Sequence, residues 1–333
     1  MVPSRIRIMY FVELPDIGQQ KLSFYLAVEE YAARHIDVMP LFFYWQVEPT
    51  VIIGRNQNID SEVNVDYCKS NNIRLFRRKS GGGCVYADLD NLMLCYIDEG
   101  DDVQLTYHKY VTLMKRAFKL LGLDVEATGR NDFTIDGKKI SGSAFYHIPN
   151  GRNIVHSTLL YDTNIANMVQ SITPSNEKLV AKGVESVKSR IGFLKNYTSM
   201  PLPKIKEELR RMFCGDKVYK LSEKDLVEIR KIEETYLDKN FLNGERKHWN
   251  IKNRKRIEGC GELEVQLSVR KGIITTVEMT GDFFAIGDIG VLCDAISGNP
   301  LSKESLEKVF EKYPPGKYIK GLNTDILLQM ITN

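Results

Sequence analysis

Residues 125–160 read VEATGRNDFTIDGKKISGSAFYHIPNGRNIVHSTLL, and their rhythm decides the fold. Short β-like runs at Phe133 to Ile135, Ile140 to Phe145 and Ile154 to Leu160 are separated by Asp136-Gly137 and by Pro149-Asn150-Gly151. Turn residues between brief apolar runs make antiparallel hairpins, whereas parallel strands need a long crossover between them. The predicted main domain is therefore α+β, built on a large mixed or antiparallel sheet, and not a doubly wound parallel one.

On the amino-terminal side, Gln104 to Leu121 carries Tyr110, Leu113, Met114, Ala117, Phe118 and Leu121 at helical spacing, and Gly122 stops it. Asn91 to Ile97 and Ile73 to Phe76 read as strands, with a short helix near Val63 to Asn71. Leu41 to Trp45 and Thr50 to Ile53 are apolar on both faces and read as a hairpin, or as neighbouring strands, across Glu48-Pro49. A helix is predicted from about Gln20 to Arg34, with Glu29 and Glu30 exposed or at a rim, after a first strand at Ile6 to Val12.

On the carboxy-terminal side, Ile205 to Phe213 and Leu221 to Tyr236 look helical, and the polar, basic stretch Asn240 to Asn253 reads as a linker. Glu262 to Val269 then alternates with period two, turns at Lys271-Gly272 and returns through Ile273 to Met279. Helices near Ile286 to Ile296 and Lys303 to Phe310 complete the pattern. The expected division is a catalytic domain over residues 1–245 and a smaller α+β domain over residues 246–333.

The chain has 333 residues, 27% of them charged, and a net charge of +3, too small a surplus to point to nucleic acid as a partner. Its six cysteines include no C-x-x-C pair and its five histidines show no ligand spacing, which excludes a structural zinc site of the usual kind. No segment approaches the roughly 20 apolar residues that span a bilayer, so no membrane association is expected. The amino terminus has neither a secretory apolar run nor transit-peptide character, and a cytoplasmic protein with reduced thiols is expected.

The chemistry concentrates in three segments. Arg77-Arg78-Lys79-Ser80 leads into Gly81-Gly82-Gly83, where the missing Cβ atoms let backbone approach a ligand and turn N–H groups toward it. With two arginines beside it, the loop reads as a cradle for a phosphate or an activated carboxylate, although basic Gly-rich turns also occur as plain surface loops. Asn131-Asp132 follows a Gly-Arg turn, and Lys138-Lys139 precedes Ser141-Gly142. A carboxylate such as Asp132 can hold Mg²⁺ against phosphate oxygens, and lysine offers a compact positive charge. The set suits adenylate chemistry. Neither a P-loop nor a dinucleotide fingerprint occurs.

Six ordered motifs resemble the lipoate–protein ligase family, of the biotin/lipoate ligase superfamily. They are Leu26-Ala-Val-Glu-Glu30, Val51-Ile-Ile-Gly-Arg55, Arg77 to Tyr86, Asp88-Leu-x-Asn91, Gly129-Arg-Asn-Asp132 and Lys139-Ile-Ser-Gly-Ser-Ala144. Lys182-Gly183 and Ser186 to Arg190 fit a further family segment, and Gly281-Asp-Phe-Phe284 fits its accessory carboxy-terminal domain. The resemblance implies an ATP-dependent, AMP-forming ligase: lipoate and MgATP give lipoyl-adenylate, and the acyl group passes to a lysine of an apo lipoyl carrier domain. The implied carriers are 2-oxoacid dehydrogenase E2 subunits and the glycine cleavage H protein, and the implied enzyme is a monomer.

Carried over by the same resemblance, Lys139 is the catalytic lysine, bridging acyl carbonyl and phosphate. Arg78, Ser80, Gly81, Gly82 and Gly83 line the lipoyl-phosphate region, Asn131 and Asp132 the phosphate and metal side, and Val85 and Tyr86 the adenine edge. His156 and Lys182 match further binding residues, and Trp45 lies on a strand that walls the acyl tunnel. Three positions depart from the family pattern: Ala87 stands where a histidine is common, Asp90 where a glycine is, and Cys84 where a small residue, usually alanine, is. Within the superfamily, an ATP-independent octanoyl- or lipoyl-transferase would need a nucleophilic cysteine, and only Cys84 and Cys95 lie near the centre. A biotin ligase shares the architecture but carries a different glycine-rich signature. A non-catalytic lipoyl or nucleotide binder is the remaining alternative.

Overall fold

The computed structural model describes residues 8–100, 102–128, 131–148, 151–172, 189–243 and 249–332. The chain forms two compact units. The first comprises Met1–Ile52, Asp60–Arg77 and Val85–Leu242; the second comprises Ile53–Ile59, Arg78–Cys84 and Asn243–Asn333. Besides the carboxy-terminal residues, the second unit therefore takes in two short loops that a single cut near residue 245 leaves with the first.

The first unit is organised by eight strands: β1 (Tyr10–Glu13), β2 (Leu41–Trp45), β6 (Asn91–Glu99), β7 (Glu126–Thr128), β8 (Asp132–Ile135), β9 (Lys138–Ile148), β10 (Arg152–Leu160) and β11 (Val218–Lys220). Their order is β11-β1-β2-β6-β10-β9-β8-β7. β1 runs parallel to β11 and β2, and the remaining pairs are antiparallel, so the sheet is mixed as the turn pattern requires. A separate sheet, β4-β3-β5, is made by β3 (Thr50–Ile53), β4 (Arg74–Arg77) and β5 (Val85–Ala87). The hairpin or pair of neighbouring strands expected of Leu41 to Ile53 is thus corrected: β2 pairs with β1 and β6, and β3 pairs with β5 in the other sheet. Both runs are buried without alternation, so the sequence holds no register signal to join them.

The helix α1 (Leu22–His35) is followed by two short helices, α2 (Ile59–Glu62) and α3 (Val65–Ser70), the latter where a helix was expected and capped by the Asn64 side chain. The long helix α4 (Val103–Leu120) begins where the Asp102 carboxylate accepts from the amides of Gln104 and Leu105, at 2.7 and 3.2 Å. It packs on β6, β9 and β10, with the Tyr110 hydroxyl against Ser157 Oγ. α1 reaches His156, whose side chain alternates with that of Ser157, and so covers the opposite face. Expected at a rim, Glu29 and Glu30 are in fact 0% and 4% exposed. Each carboxylate is tolerated inside because it has donors: Glu30 accepts from Arg34 at 2.7 Å and from the Tyr236 hydroxyl at 2.9 Å. Tyr236 lies on a helix spanning Glu223–Leu237, started by a capping box of Ser222 and Asp225, and that helix packs along α1.

In the second unit, β12 (Ile251–Ile257), β13 (Gly261–Arg270) and β14 (Ile273–Gly281) form an antiparallel sheet. The last two are the predicted hairpin. Of the linker expected over Asn240 to Asn253, residues 240–243 are helical and residues 251–253 already belong to β12, an edge strand whose Lys252, Arg254, Lys255 and Arg256 are exposed, where charge is tolerated and discourages further pairing. Helices over Ile289–Ile296, Lys303–Lys312 and Thr324–Thr332 cover the sheet, burying Leu263, Val265, Ile274, Leu292, Phe310 and Leu327.

Candidate active site

Strand pairing gathers the first unit's site residues on one face of the large sheet. Trp45 stands opposite Met93 and Met93 opposite Thr158; in the next rank Phe43, Cys95, His156 and Ala144 stand in line. Opposed residues, and residues two apart, share a face. On β8 and β9, Asp132 stands opposite Gly142, and Thr134, two residues on, stands opposite Lys139. Trp45, His156, Ala144, Gly142, Asp132 and Lys139 therefore look out from the same side, the side that α1 covers.

One end of this row is fastened by Glu29, which sequence reading missed. Its two carboxylate oxygens hold the Trp45 indole N–H at 3.1 Å and His156 Nδ1 at 2.7 Å. Trp45 also stacks on Tyr25, with ring centroids 5.2 Å apart and planes within 4°. The signal that could have found Glu29 is a carboxylate inside an otherwise apolar helix. Beside it, burial foremost and then the Glu29 carboxylate push the Cys95 thiol well above its ordinary pKa, which keeps it protonated.

At the other end, Lys139 Nζ lies 2.7 Å from Asp132 Oδ1, with both side chains partly exposed. A half-exposed pair of this kind stabilises a fold by about 0–1 kcal/mol, so its importance is geometric: it fixes where the amine rests. Asn131 is tied to the same strand edge, donating from Nδ2 to the Ser143 carbonyl at 2.6 Å and accepting from the Ser143 amide at 2.8 Å. Tyr107 of α4, also missed, has its phenol pushed up to about 12, chiefly by burial and in part by Asp132.

The triple-glycine loop belongs to the second unit, and there protein contacts occupy the space of the Cβ atoms missing at Gly81 and Gly82. The Gly82 amide donates to the Phe283 carbonyl at 3.0 Å. A Cβ on Gly81 would lie 2.5 Å from that same carbonyl, and one on Gly82 would lie 3.1 Å from the Phe284 ring. Arg78 is buried within the loop, donating to Ser80 Oγ at 3.0 Å and to the Gly81 and Gly83 carbonyls at 2.6 and 2.8 Å. The N–H groups expected to face a ligand thus include one already given to backbone.

Val85 and Tyr86 lie on β5, opposite Ile52 and Val51. Tyr86 is buried, its hydroxyl accepts from Asn167 Nδ2 at 3.4 Å, and burial above all raises its phenol to about 12. Ala87, at the family histidine position, is fully buried opposite Thr50. Lys182, the Lys182-Gly183 step, Gly129 and Arg130 lie outside the described residues.

Comparison with known proteins supplies the rest. The family described as Lipoyl protein ligase A/B catalytic domain matches residues 21–214, and Bacterial lipoate protein ligase C-terminus matches residues 247–331. The lipoate-protein ligase LplJ of Bacillus subtilis is 32% identical over 97% of this chain and 100% of its own length. Among solved structures, LipL1 of P. falciparum in complex with lipoate superposes with a TM-score of 0.76 at 21% identity, covering 97% of this chain and 98% of that one. A lipoate-protein ligase A bound with ATP gives a TM-score of 0.61 at 22% identity, covering 71% and 99%. At those identities the two structures speak for the fold. Two domain matches in series and a full-length relative at 32% identity make the chain a member of the lipoate–protein ligase family.

Proposed function

We propose that the chain joins lipoate and ATP into lipoyl-adenylate and pyrophosphate, then transfers the lipoyl group to a lysine of apo lipoyl carrier domains, those of 2-oxoacid dehydrogenase E2 subunits and of the glycine cleavage H protein. The observation that carries this reading is the row on one sheet face: an aromatic and histidine end fastened by Glu29, a cationic end at Lys139, and only Gly142 and Ala144 between them on β9. Gly142 and Ala144 are about 7 Å apart along a strand, and their small side chains leave a floor on which an acyl chain can lie. Each methylene buried there contributes about 0.8 kcal/mol.

Adenylation needs positive charge where a carboxylate attacks phosphorus and pyrophosphate leaves, and a preorganised Lys139 amine supplies it without reorganisation. In transfer, the neutral carrier amine attacks the acyl carbon, the C–N bond forms, the carbon–oxygen bond to phosphate breaks, AMP departs with the electron pair, and the new amide nitrogen gives its surplus proton to solvent. A free lysine must first lose a proton, a cost of about 4.6 kcal/mol at pH 7. A fixed cation next to the incoming amine disfavours its protonated form and lowers that cost.

Among the described residues no three His, Cys, Asp or Glu side chains form a metal-ligating group. Mg²⁺ is commonly held by one or two carboxylates together with substrate phosphates, and the partly exposed Asp132 carboxylate fits that part. When bound with ATP, the ion would neutralise phosphate charge. The transferase alternative is disfavoured at Cys95, whose buried, protonated thiol is a poor nucleophile.

The test is intact mass of an apo lipoyl domain after incubation with the chain, lipoate and Mg²⁺, with and without ATP. A gain of one lipoyl group only when ATP is present is expected; a gain without ATP would overturn the ligase reading in favour of a transferase.

A further inference from the structure

Lys139 and Gly142 are three residues apart on β9, and a regular strand would place them on opposite faces. They share a face because the register against β8 slips between Phe133 and Thr134: Phe133 pairs with Ser141, and Thr134 with Lys139. The strand β9 thus carries Ile140 as an extra residue, a bulge that reverses the alternation and brings Lys139 over Gly142. Ile140 and Ser141 are buried, at 0% and 1% exposure.

The backbone around this bulge is fixed on both sides. Lys139 bridges to Ile191 in parallel fashion, and the Gly192 amide donates to the Lys139 carbonyl at 2.8 Å. At Gly142 the Thr158 hydroxyl stands in for the sheet ladder, accepting from the Gly142 amide at 3.1 Å. What freedom remains at Lys139 is in its side chain. A Cβ built on Gly142 would meet Lys139 Cε and Nζ at 2.9 Å each, while its next neighbour, Asp132 Oδ1, is at an ordinary 3.6 Å. Gly142 is not among the positive-φ residues, so its backbone suits any L-amino acid. The absent methyl group therefore serves neither a turn nor a backbone contact; it leaves room for one amine.

We propose that Gly142 is a positioning residue for Lys139: its bare Cα is the floor on which the amine rests against Asp132, and the bulge at Ile140 is what places the amine there. The inference deepens the adenylate-forming reading and rests on it for the consequence to activity. A methyl group at 142 leaves the fold intact and lifts the amine away from Asp132 and from the acyl–phosphate junction.

The test uses the full chain with Gly142→Ala, Lys139→Ala and the double substitution, and reads affinity for a non-hydrolysable sulfamoyl analogue of lipoyl-adenylate by calorimetry. Loss of a hydrogen bond from a charged donor weakens binding by roughly tenfold or more. Gly142→Ala should show that loss when Lys139 is present and essentially none when Lys139 is alanine, with unchanged melting temperature. An equal loss in both backgrounds would mean a general structural role and overturn the inference. A second arm measures acetylation of Lys139 in the ligand-free chain by peptide mass. Several-fold faster labelling in Gly142→Ala is expected, and equal rates would overturn the proposal. Should the parent fail to bind the analogue, the adenylate reading falls, and the labelling arm decides the role of Gly142 separately.

Discussion

Glu29 shows what one residue can hold in place. It is fully buried and satisfies two ring donors from two different strands, Trp45 on β2 and His156 on β10. Glu29→Ala strips both donors of their acceptor inside an apolar layer, and each unsatisfied donor costs about 1–3 kcal/mol. We expect that variant to lose about 2–4 kcal/mol in urea unfolding, and Glu29→Gln, which keeps an acceptor oxygen, to lose less; equal losses would show that packing, not hydrogen bonding, sets the cost. The thiols give a second residue-scale expectation. Burial raises Cys68 to about 11 and Cys214 to about 12, so both remain protonated at pH 8, whereas Cys84 and Cys293 are only half-buried. Iodoacetamide at pH 8 should label Cys84 and Cys293 before the other four, as peptide mapping would read. Lys139 and Asp132 stand out in the sequence by their place in motifs; Glu29 also lies in one, Leu26 to Glu30, but reads there as a rim residue, because a carboxylate on a helix looks like surface until its donors are known.

The triple-glycine loop takes its shape from the backbone it packs on. Its composition was legible as a need for missing side chains, and the structure locates that need in the contact between Gly81-Gly82 and Phe283-Phe284 within the second unit. Gly54 belongs to the same arrangement, since a Cβ there would run into the Gly82 carbonyl oxygen. Gly81→Ala should therefore break the bond from the Gly82 amide to Phe283 and raise hydrogen exchange at that amide at least tenfold. Gly18→Ala, whose added Cβ meets nothing within 4 Å and whose cost is local backbone strain at φ +71°, serves as a destabilised control that should leave the Gly82 amide unchanged. Unaltered exchange in Gly81→Ala would contradict the packing account. The hairpin β13–β14 and helix α4 were legible because their periods are clean. The start of β12 was not, since the first residues of a basic edge strand share the polar composition of the stretch before them.

Across the whole molecule, the order of the motifs was in the sequence, while the way they meet was not. Trp45, Cys95, His156 and Gly142 come from four strands; β9 and β10 form a local hairpin, but the β2–β6 and β6–β10 pairings are long-range and no local pattern states them. Lys139 owes its face to a local pairing, the β8–β9 hairpin that Asp136-Gly137 announces, but through a one-residue slip that no motif spells out. No helix among the described residues is long and apolar enough to cross a membrane. On the proposed function, the Lys139 amine, resting against Asp132, promotes attack of lipoate on ATP before any carrier arrives. Lipoate-dependent exchange of labelled pyrophosphate into ATP, run without carrier on the parent and on Lys139→Ala, tests it most directly. The account expects robust exchange in the parent and a fall of about a hundredfold or more in the variant, the scale of losing a fixed electrostatic group at a reacting centre. Exchange that persists undiminished in Lys139→Ala would contradict it.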